Sequence, residues 1–385
     1  MIYMDFAATS PMSETALNAF VQTSKTYFHN TESLHDVGLQ AKDLLEHART
    51  SLAKLLNRES EGIYFTGGGS DGNFLAITSL AFGALNKGKG KHIITSAIEH
   101  PSVEYALNFL EKNGFEVSRI PVEKSGKISL KLLEDTIRKD TILVTIQHVN
   151  SETGFAQDIK QIGDFLADSS ILFHCDCVQS FGKWDKDLFN SAIIDSFTIS
   201  AHKIHGPKGT GAVYISPKVH VIPLLSNVTH ERGFKPGTVD LPSIVAFVTA
   251  ADESIRKQPA HFQHAEEMRK LFLSLILNNK LIVYEGTENS SPFIIPFRLK
   301  GVEGQIVMQE LNRNQIAVST GSACKNGQQE PSKALLAVGR TDSEAHGLVR
   351  VSLSHQTTKE DIIALGKALN EITNKFLAVR EVTWK

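Results

Sequence analysis

A two-domain α/β fold is what this chain predicts, and three features of its pattern predict it. Between residues 60 and 215 short β-rich apolar runs recur. Amphipathic, helix-like stretches lie between several of these runs, the signature of βα units around a mostly parallel sheet. Beyond residue 241 the rhythm changes to a long helical stretch followed by scattered strands and a terminal helix.

Taken in order, residues 14–28 and 35–56 read as two helices separated by the polar turn Asn30-Thr31-Glu32-Ser33, and both should pack on the sheet domain. Seven strands are expected at 62–65, 92–95, 115–120, 142–146, 171–175, 196–199 and 212–215, with helices such as 70–85 and 159–167 between them. Residues 241–277 read as one long helix or a broken pair, 291–299 and 349–353 as strands, and 358–376 as a helix. This divides the chain into a large α/β domain over 12–250 and a smaller α+β domain built from 1–11 and 251–385, the boundary lying in or beside the long helix. No internal repeat or low-complexity linker interrupts it.

A chain of 385 residues that is 41% hydrophobic can bury two cores. A net charge of −2, without a Lys/Arg block, argues against direct nucleic-acid binding. Three cysteines are too few for a disulfide framework and fit a reducing compartment. The N-terminus lacks a basic segment followed by an apolar one, and no apolar run reaches membrane-spanning length, so a cytoplasmic protein without membrane association is expected.

Four segments carry chemistry. In Ser200-Ala201-His202-Lys203-Ile204-His205-Gly206 a lysine follows a strand end, where desolvation can free its amine to form a Schiff base with an aldehyde. In His174-Cys175-Asp176-Cys177-Val178-Gln179, Asp176 ends an apolar run and needs a cationic partner, which the ring nitrogen of pyridoxal phosphate would supply. The junction Phe65-Thr66-Gly67-Gly68-Gly69-Ser70-Asp71-Gly72-Asn73 offers free amides to a phosphate but lacks the Lys-Ser/Thr pair of a nucleotide-binding P-loop. Finally, Ser319-Thr320-Gly321-Ser322-Ala323-Cys324-Lys325 places a thiol among small polar residues beside a cation.

Alone, each has a plainer explanation: a solvated lysine, a turn-capping aspartate, a tight connection, an inert thiol. Cys175 and Cys177, in their apolar run, read as inert. A zinc site at His174-Cys175-Asp176-Cys177 lacks a second ligand pair, so no metal is assigned.

Together and in this order the segments resemble the cysteine desulfurase family, in the class V aminotransferase branch of fold type I pyridoxal-phosphate enzymes. The resemblance runs from Asp5-Phe6-Ala7-Ala8-Thr9 through Glu99-His100, His148-Val149-Asn150-Ser151-Glu152-Thr153-Gly154, Asp176 to Gln179, the Lys203 segment, His230-Glu231-Arg232-Gly233 and Gly237-Thr238. It ends with the Cys324 segment and Val349-Arg350-Val351.

It implies a seven-stranded sheet domain with helices on both faces and a pyridoxal 5'-phosphate cofactor. Lys203 would bind the cofactor aldehyde, Asp176 would pair with the ring nitrogen, and His100 would stack on the ring and join the proton transfers. Gln179 would contact the ring oxygen, and Gly69, Ser70, Ser200 and His202 would surround the phosphate. Thr238 would reach the phosphate of a second subunit in a homodimer, Arg350 would clamp the carboxylate of L-cysteine, and Cys324 would take its sulfur as a persulfide.

The form Gly321-Ser322-Ala323-Cys324 resembles the group whose cysteine rides a long mobile loop, which implies delivery of sulfur to an iron–sulfur scaffold or a tRNA-thiolating enzyme. Two departures stand out. Ser151 stands where many relatives have an asparagine that approaches the ring, so the Ser151 hydroxyl, a bridging water or a shifted Asn150 would make that contact with the cofactor. Gly69 and Gly72 replace larger residues, which would loosen the loop. Glu231-Arg232 reads as a surface ion pair. A selenocysteine lyase, another class V enzyme, or a non-catalytic scaffold retaining the fold are the competing readings.

Overall fold

The computed structural model describes residues 1–184, 194–224, 228–321 and 330–383. After a short strand β1 (Ile2–Tyr3) come two helices, α1 (Glu14–Thr26) and α2 (Asp36–Leu56), and then the alternating units of the large domain. Ser13 caps α1 through its hydroxyl, and the polar turn predicted between the helices separates them.

All seven expected strands form, within a residue or so of their expected bounds: β2 (Ile63–Thr66), β3 (His92–Ser96), β4 (Glu116–Ile120), β5 (Thr141–Gln147), β6 (Leu172–Asp176), β7 (Ser196–Ser200) and β8 (Gly211–Ile215). They make one seven-stranded sheet in the order β2-β8-β7-β6-β5-β3-β4. Strand β8 alone runs against its neighbours, so the other six point the same way.

Period-two alternation divides each central strand between two cores. Ile94, Val144 and Phe173 enter a cluster with α2, while Ile93 and Leu143 enter the one on the opposite face with α3 (Gly69–Asn86) and α4 (Pro101–Lys112). Helices therefore cover both faces, as a buried parallel sheet requires. The shorter α5 (Leu130–Thr136) and α6 (Ile159–Leu166) complete the units, and α6 puts Ile159, Ile162 and Leu166 into the core shared with α2.

The long apolar stretch after residue 240 is one continuous 36-residue helix, α7 (Leu241–Ile276), despite Pro259 inside it. Its first half sends Leu241, Ile244 and Phe247 into the large-domain core, and its second half sends Met268, Phe272 and Ile276 into a separate one. That second core belongs to a four-stranded antiparallel sheet with the order β12-β13-β10-β9. Its strands are β9 (Ile282–Tyr284), β10 (Ile294–Leu299), β12 (Ser319–Thr320) and β13 (Leu348–Ser352), while β11 (Ile316–Ala317) pairs in parallel with β1. Helices α8 (Gly304–Arg313) and α11 (Lys359–Thr383) pack on this sheet, and the short α9 (Lys333–Ala337) and α10 (Asp342–His346) lead into β13.

Among the described residues, no helix is long and apolar enough to cross a membrane. Residues 4–10 run from the small sheet to the large one: Ser352 N donates to Met4 O, and Ser10 N donates to His202 O.

Candidate active site

The strands of the large sheet that point the same way end on one edge, and the chemistry-bearing side chains gather there, as expected for an open α/β sheet. Lys203 closes a single turn (Ala201–Lys203) directly after β7. Its Nζ donates to the carbonyls of Ala7 at 2.6 Å and Ala8 at 2.8 Å. Burial, reinforced by the charge of Arg350, lowers its pKa to about 8 although Asp5 and Asp176 pull the other way. Near neutral pH a minor fraction of this lysine is thus already free amine, far more than for an exposed lysine.

Asp176 is the last residue of β6 and is buried. One carboxylate oxygen accepts from Val178 N at 2.9 Å and the other from Asn73 Nδ2 at 2.8 Å. His100 caps α4, with Nδ1 facing Ser102. Burial lowers its pKa, the charge of Asp176 opposes that shift, and Lys203 adds to it. Gln179 donates Nε2 to Ala7 O at 2.9 Å, while its Oε1 is buried without a partner among the described residues.

Gly69 opens α3, whose first amides have no intrahelical carbonyl to bond. The two glycine departures have a packing reason rather than the loosening expected of them. A Cβ on Gly69 would lie 2.7 Å from Val178, and one on Gly72 would lie 2.8 Å from Thr198, so both let α3 press against the strand ends. The hydroxyl of Ser200 is buried without a partner among the described residues, and its Cβ lies 3.6 Å from where a Gly69 Cβ would be. Ser70 is exposed at the same helix end. His202 faces Thr9 Oγ1 at 3.2 Å, and burial among the cations Lys203, Lys183 and Lys208 lowers its pKa to about 4.

Arg350 reaches the cluster from β13. It donates to Ser151 O at 2.9 Å and pairs with Asp5 at 2.8 Å, while its Nε is buried without a partner among the described residues. Ser151 therefore holds Arg350 through its backbone. Asn150 spends its side chain locally, donating to Ile98 O and accepting from Glu152 N and Thr153 N. Thr238 is exposed on the loop before α7, and no hydrogen bond of the Lys203 cluster reaches it. Ser322, Ala323 and Cys324 lie outside the described residues. Cys175 and Cys177 are fully buried, and burial pushes the Cys175 thiol well up.

Other contributors carried no sequence signal as site residues. Asn73, Ser102, Asp5 and the carbonyls of Ala7 and Ala8 are ordinary residues until folding brings them here. Glu99 was visible only as the neighbour of His100. It is buried, accepts from Ser96 Oγ and Gln147 N, and has a pKa raised to about 8 by burial. Glu231 corrects the surface ion-pair expectation: it is buried and pairs with Arg49 through both oxygens, at 2.8 and 3.0 Å. Arg232 meets Glu46 instead.

With this geometry established, comparison with known proteins is informative. The sequence model of the family described as Aminotransferase class-V matches residues 2–365. The chain is 43% identical to a NifS protein of Bacillus subtilis, over 94% of this chain and 92% of that one. It is 38% identical to the cysteine desulfurase IscS of Pseudoalteromonas translucida, over 94% and 90%. Among solved structures, a NifS-like protein superposes with a TM-score of 0.89 at 28% identity, over 97% of this chain and 99% of that one. The protein SspA, solved in complex with cysteine, superposes with a TM-score of 0.79 at 31% identity, over 92% and 99%.

Proposed function

Because the chain belongs to the class-V aminotransferases and, within them, to the cysteine desulfurases, we propose that its Lys203 edge binds pyridoxal 5'-phosphate and desulfurates L-cysteine onto Cys324. The observation that carries this reading is the amine of Lys203, with its lowered pKa, within electrostatic reach of Asp176, His100 and Arg350.

The residues present fit the cofactor. The unpartnered Ser200 hydroxyl and the first amides of α3 suit a phosphate, with Gly69, Ser70 and His202 around them. The unpartnered Gln179 Oε1 and the Asp176 carboxylate suit the polar edge of a protonated ring. When bound, the cofactor supplies an aldehyde for an amine and a cationic ring that draws electrons from the substrate α-carbon.

The chain's own groups do the rest. Arg350 would take the substrate carboxylate with its fork of donors, using the Nε that has no partner among the described residues. Lys203, once displaced by the substrate amine, would remove the α-proton. The Cys324 thiolate would then attack the substrate sulfur: the carbon–sulfur bond breaks, a sulfur–sulfur bond forms and the β-carbon gains a proton, after which Lys203 would return a proton to the α-carbon and L-alanine leaves. Ser151, whose carbonyl already holds Arg350, would adjoin the cofactor, whereas Asn150 spends its amide on the backbone.

The persulfide would pass to an acceptor protein, an iron–sulfur scaffold or a tRNA-thiolating enzyme, in the cytoplasm. A homodimer is supported by large apolar side chains exposed along α1 and into α2, with Phe28 71% and Leu34 90% exposed. In that assembly Thr238, exposed in one copy, would serve the phosphate of its partner.

The test is incubation of purified protein with pyridoxal phosphate, L-cysteine and a reductant. The wild type should release equal amounts of alanine and sulfide, and Lys203→Ala and Cys324→Ala should each stop sulfide release. Alanine that forms independently of Cys324 would overturn the persulfide step.

A further inference from the structure

The hydrogen bonds that start at Asp176 continue past Asn73 and end on the ring of His100. Asn73 is fully buried on α3. Its orientation is set by chemistry: a carboxylate oxygen can only accept, so the atom 2.8 Å from Asp176 Oδ2 is the amide nitrogen. The second hydrogen of that nitrogen goes to Ser102 Oγ at 2.9 Å. The amide oxygen is left to accept from His174 Nε2 at 3.3 Å, and His174 Nδ1 then accepts from Ser196 Oγ at 3.0 Å.

At the far end of the chain, the backbone N–H of Ser102 points at His100 Nδ1 at 3.1 Å. A backbone N–H can only donate, so Nδ1 carries no hydrogen in this arrangement. The Ser102 hydroxyl already accepts from Asn73 and is 2.8 Å from the same nitrogen, so its own hydrogen turns to Nδ1 as well. Two donors therefore converge on Nδ1, and neutral His100 keeps its single proton on Nε2.

We propose that Asn73 and Ser102 are positioning residues: together they hold His100 as the neutral tautomer protonated at Nε2 and couple its ring to the Asp176 carboxylate. Adding a proton at Nδ1 would set its hydrogen against the Ser102 N–H and force the Ser102 hydroxyl hydrogen to turn away. His100 thus meets reacting atoms as a hydrogen-bond donor from Nε2, suited to a developing thiolate, and not as a resting imidazolium. The charged groups around it agree. Lys203 disfavours a second positive charge, Asp176 favours one but is already engaged by Asn73, and burial, acting in the same direction as Lys203, outweighs Asp176. The neighbouring Glu99, with a pKa raised to about 8, is largely neutral at physiological pH.

What the locked histidine does in turnover rests on the desulfurase reading; the lock itself does not. The full-length protein would be labelled with 15N-histidine and its ring nitrogens recorded by NMR across pH, with and without pyridoxal phosphate, His100→Gln identifying the His100 signals. Expected are a pyridine-type Nδ1 and a pyrrole-type Nε2 down to acidic pH. In Ser102→Ala the cationic ring should become about tenfold more populated relative to the neutral one at a given pH. Asn73→Ala should move the same ratio in the same direction, and Ser102→Thr should restore it. In the loaded enzyme, the acid limb of the alanine-forming pH profile should move with the ring.

A protonated Nδ1 in the wild type, or a ring whose titration ignores both Ser102→Ala and Asn73→Ala, overturns the proposal. Absence of alanine from cysteine would instead strike the desulfurase reading and leave the ring spectra as expected.

Discussion

Two buried arginines, Arg49 on α2 and Arg350 on β13, show how differently the same side chain is used. Arg49 has partners at all three nitrogens: Glu46 at Nε, Ile63 O and Glu231 at one terminal nitrogen, and Glu231 again at the other. Glu231 also accepts from Phe65 N. Ile63 and Phe65 lie on β2, the open edge of the large sheet, so this ion pair satisfies backbone groups that no strand reaches. Arg350 is equally buried, yet its Nε has no partner among the described residues and its terminal nitrogens rest on Asp5 and on Ser151 O. A fully satisfied buried charge belongs to the framework. One with a donor to spare is placed to hold something that arrives.

That contrast can be broken from either side. Arg350→Ala removes charge-assisted bonds of roughly 1.5–3 kcal/mol each, so kcat/KM for cysteine should fall by about 10²–10⁴ with only a small change in denaturation midpoint. Glu231→Ala should do the reverse. It strands a buried guanidinium at a cost of about 3–5 kcal/mol in chemical denaturation, while the folded fraction keeps its turnover.

Replacing both partners sharpens the point. Arg49→Met with Glu231→Leu should not regain the lost stability, because Ile63 O and Phe65 N lose their partners too; full recovery would show that the pair does not close the sheet edge.

A smaller effect follows from Lys203. Its amine must be neutral to capture the cofactor and becomes protonated as pH falls through about 8. Loading of the apoprotein, followed by the visible absorption of the bound cofactor, should therefore speed up about tenfold per pH unit below that value and level off above it. Smallest is Ser200→Ala, which removes one donor from the phosphate site. Cofactor Kd should rise about tenfold, with stability nearly unchanged because that hydroxyl has no partner among the described residues.

The large domain was legible because most of its strands, the edge strand β4 excepted, are short apolar runs buried on both faces, a pattern that survives without knowledge of neighbours. Strands such as β1, β11 and β12, two residues each, are too short to show any period. Helix α8 escaped notice behind a glycine start and a polar face carrying Gln305, Gln309 and Asn312.

Lys203 and Asp176 announced themselves as polar residues at the ends of apolar runs. Asn73 and Ser102 did not, since a buried amide and a hydroxyl gain meaning only from what folding sets beside them. Glu231 misled for the same reason: its partner Arg49 lies 182 residues away, and adjacency to Arg232 suggested a surface pair. Backbone acceptors such as Ala7 O, which receives both Lys203 and Gln179, have no side-chain signal at all.

The N-terminal segment that crosses between the sheets also orders events during synthesis. Asp5 meets Arg350, and Ala7 N meets Ser352 Oγ, each across 345 positions of chain. At about 5–20 residues per second, on the order of half a minute separates the translation of the two ends. Once Lys203 has been made, the nascent chain holds it without the arginine that completes its surroundings until Arg350 follows. A ribosome stalled before β13 emerges would therefore display a formed sheet and a lysine able to meet the aldehyde, but no means of gripping an amino acid.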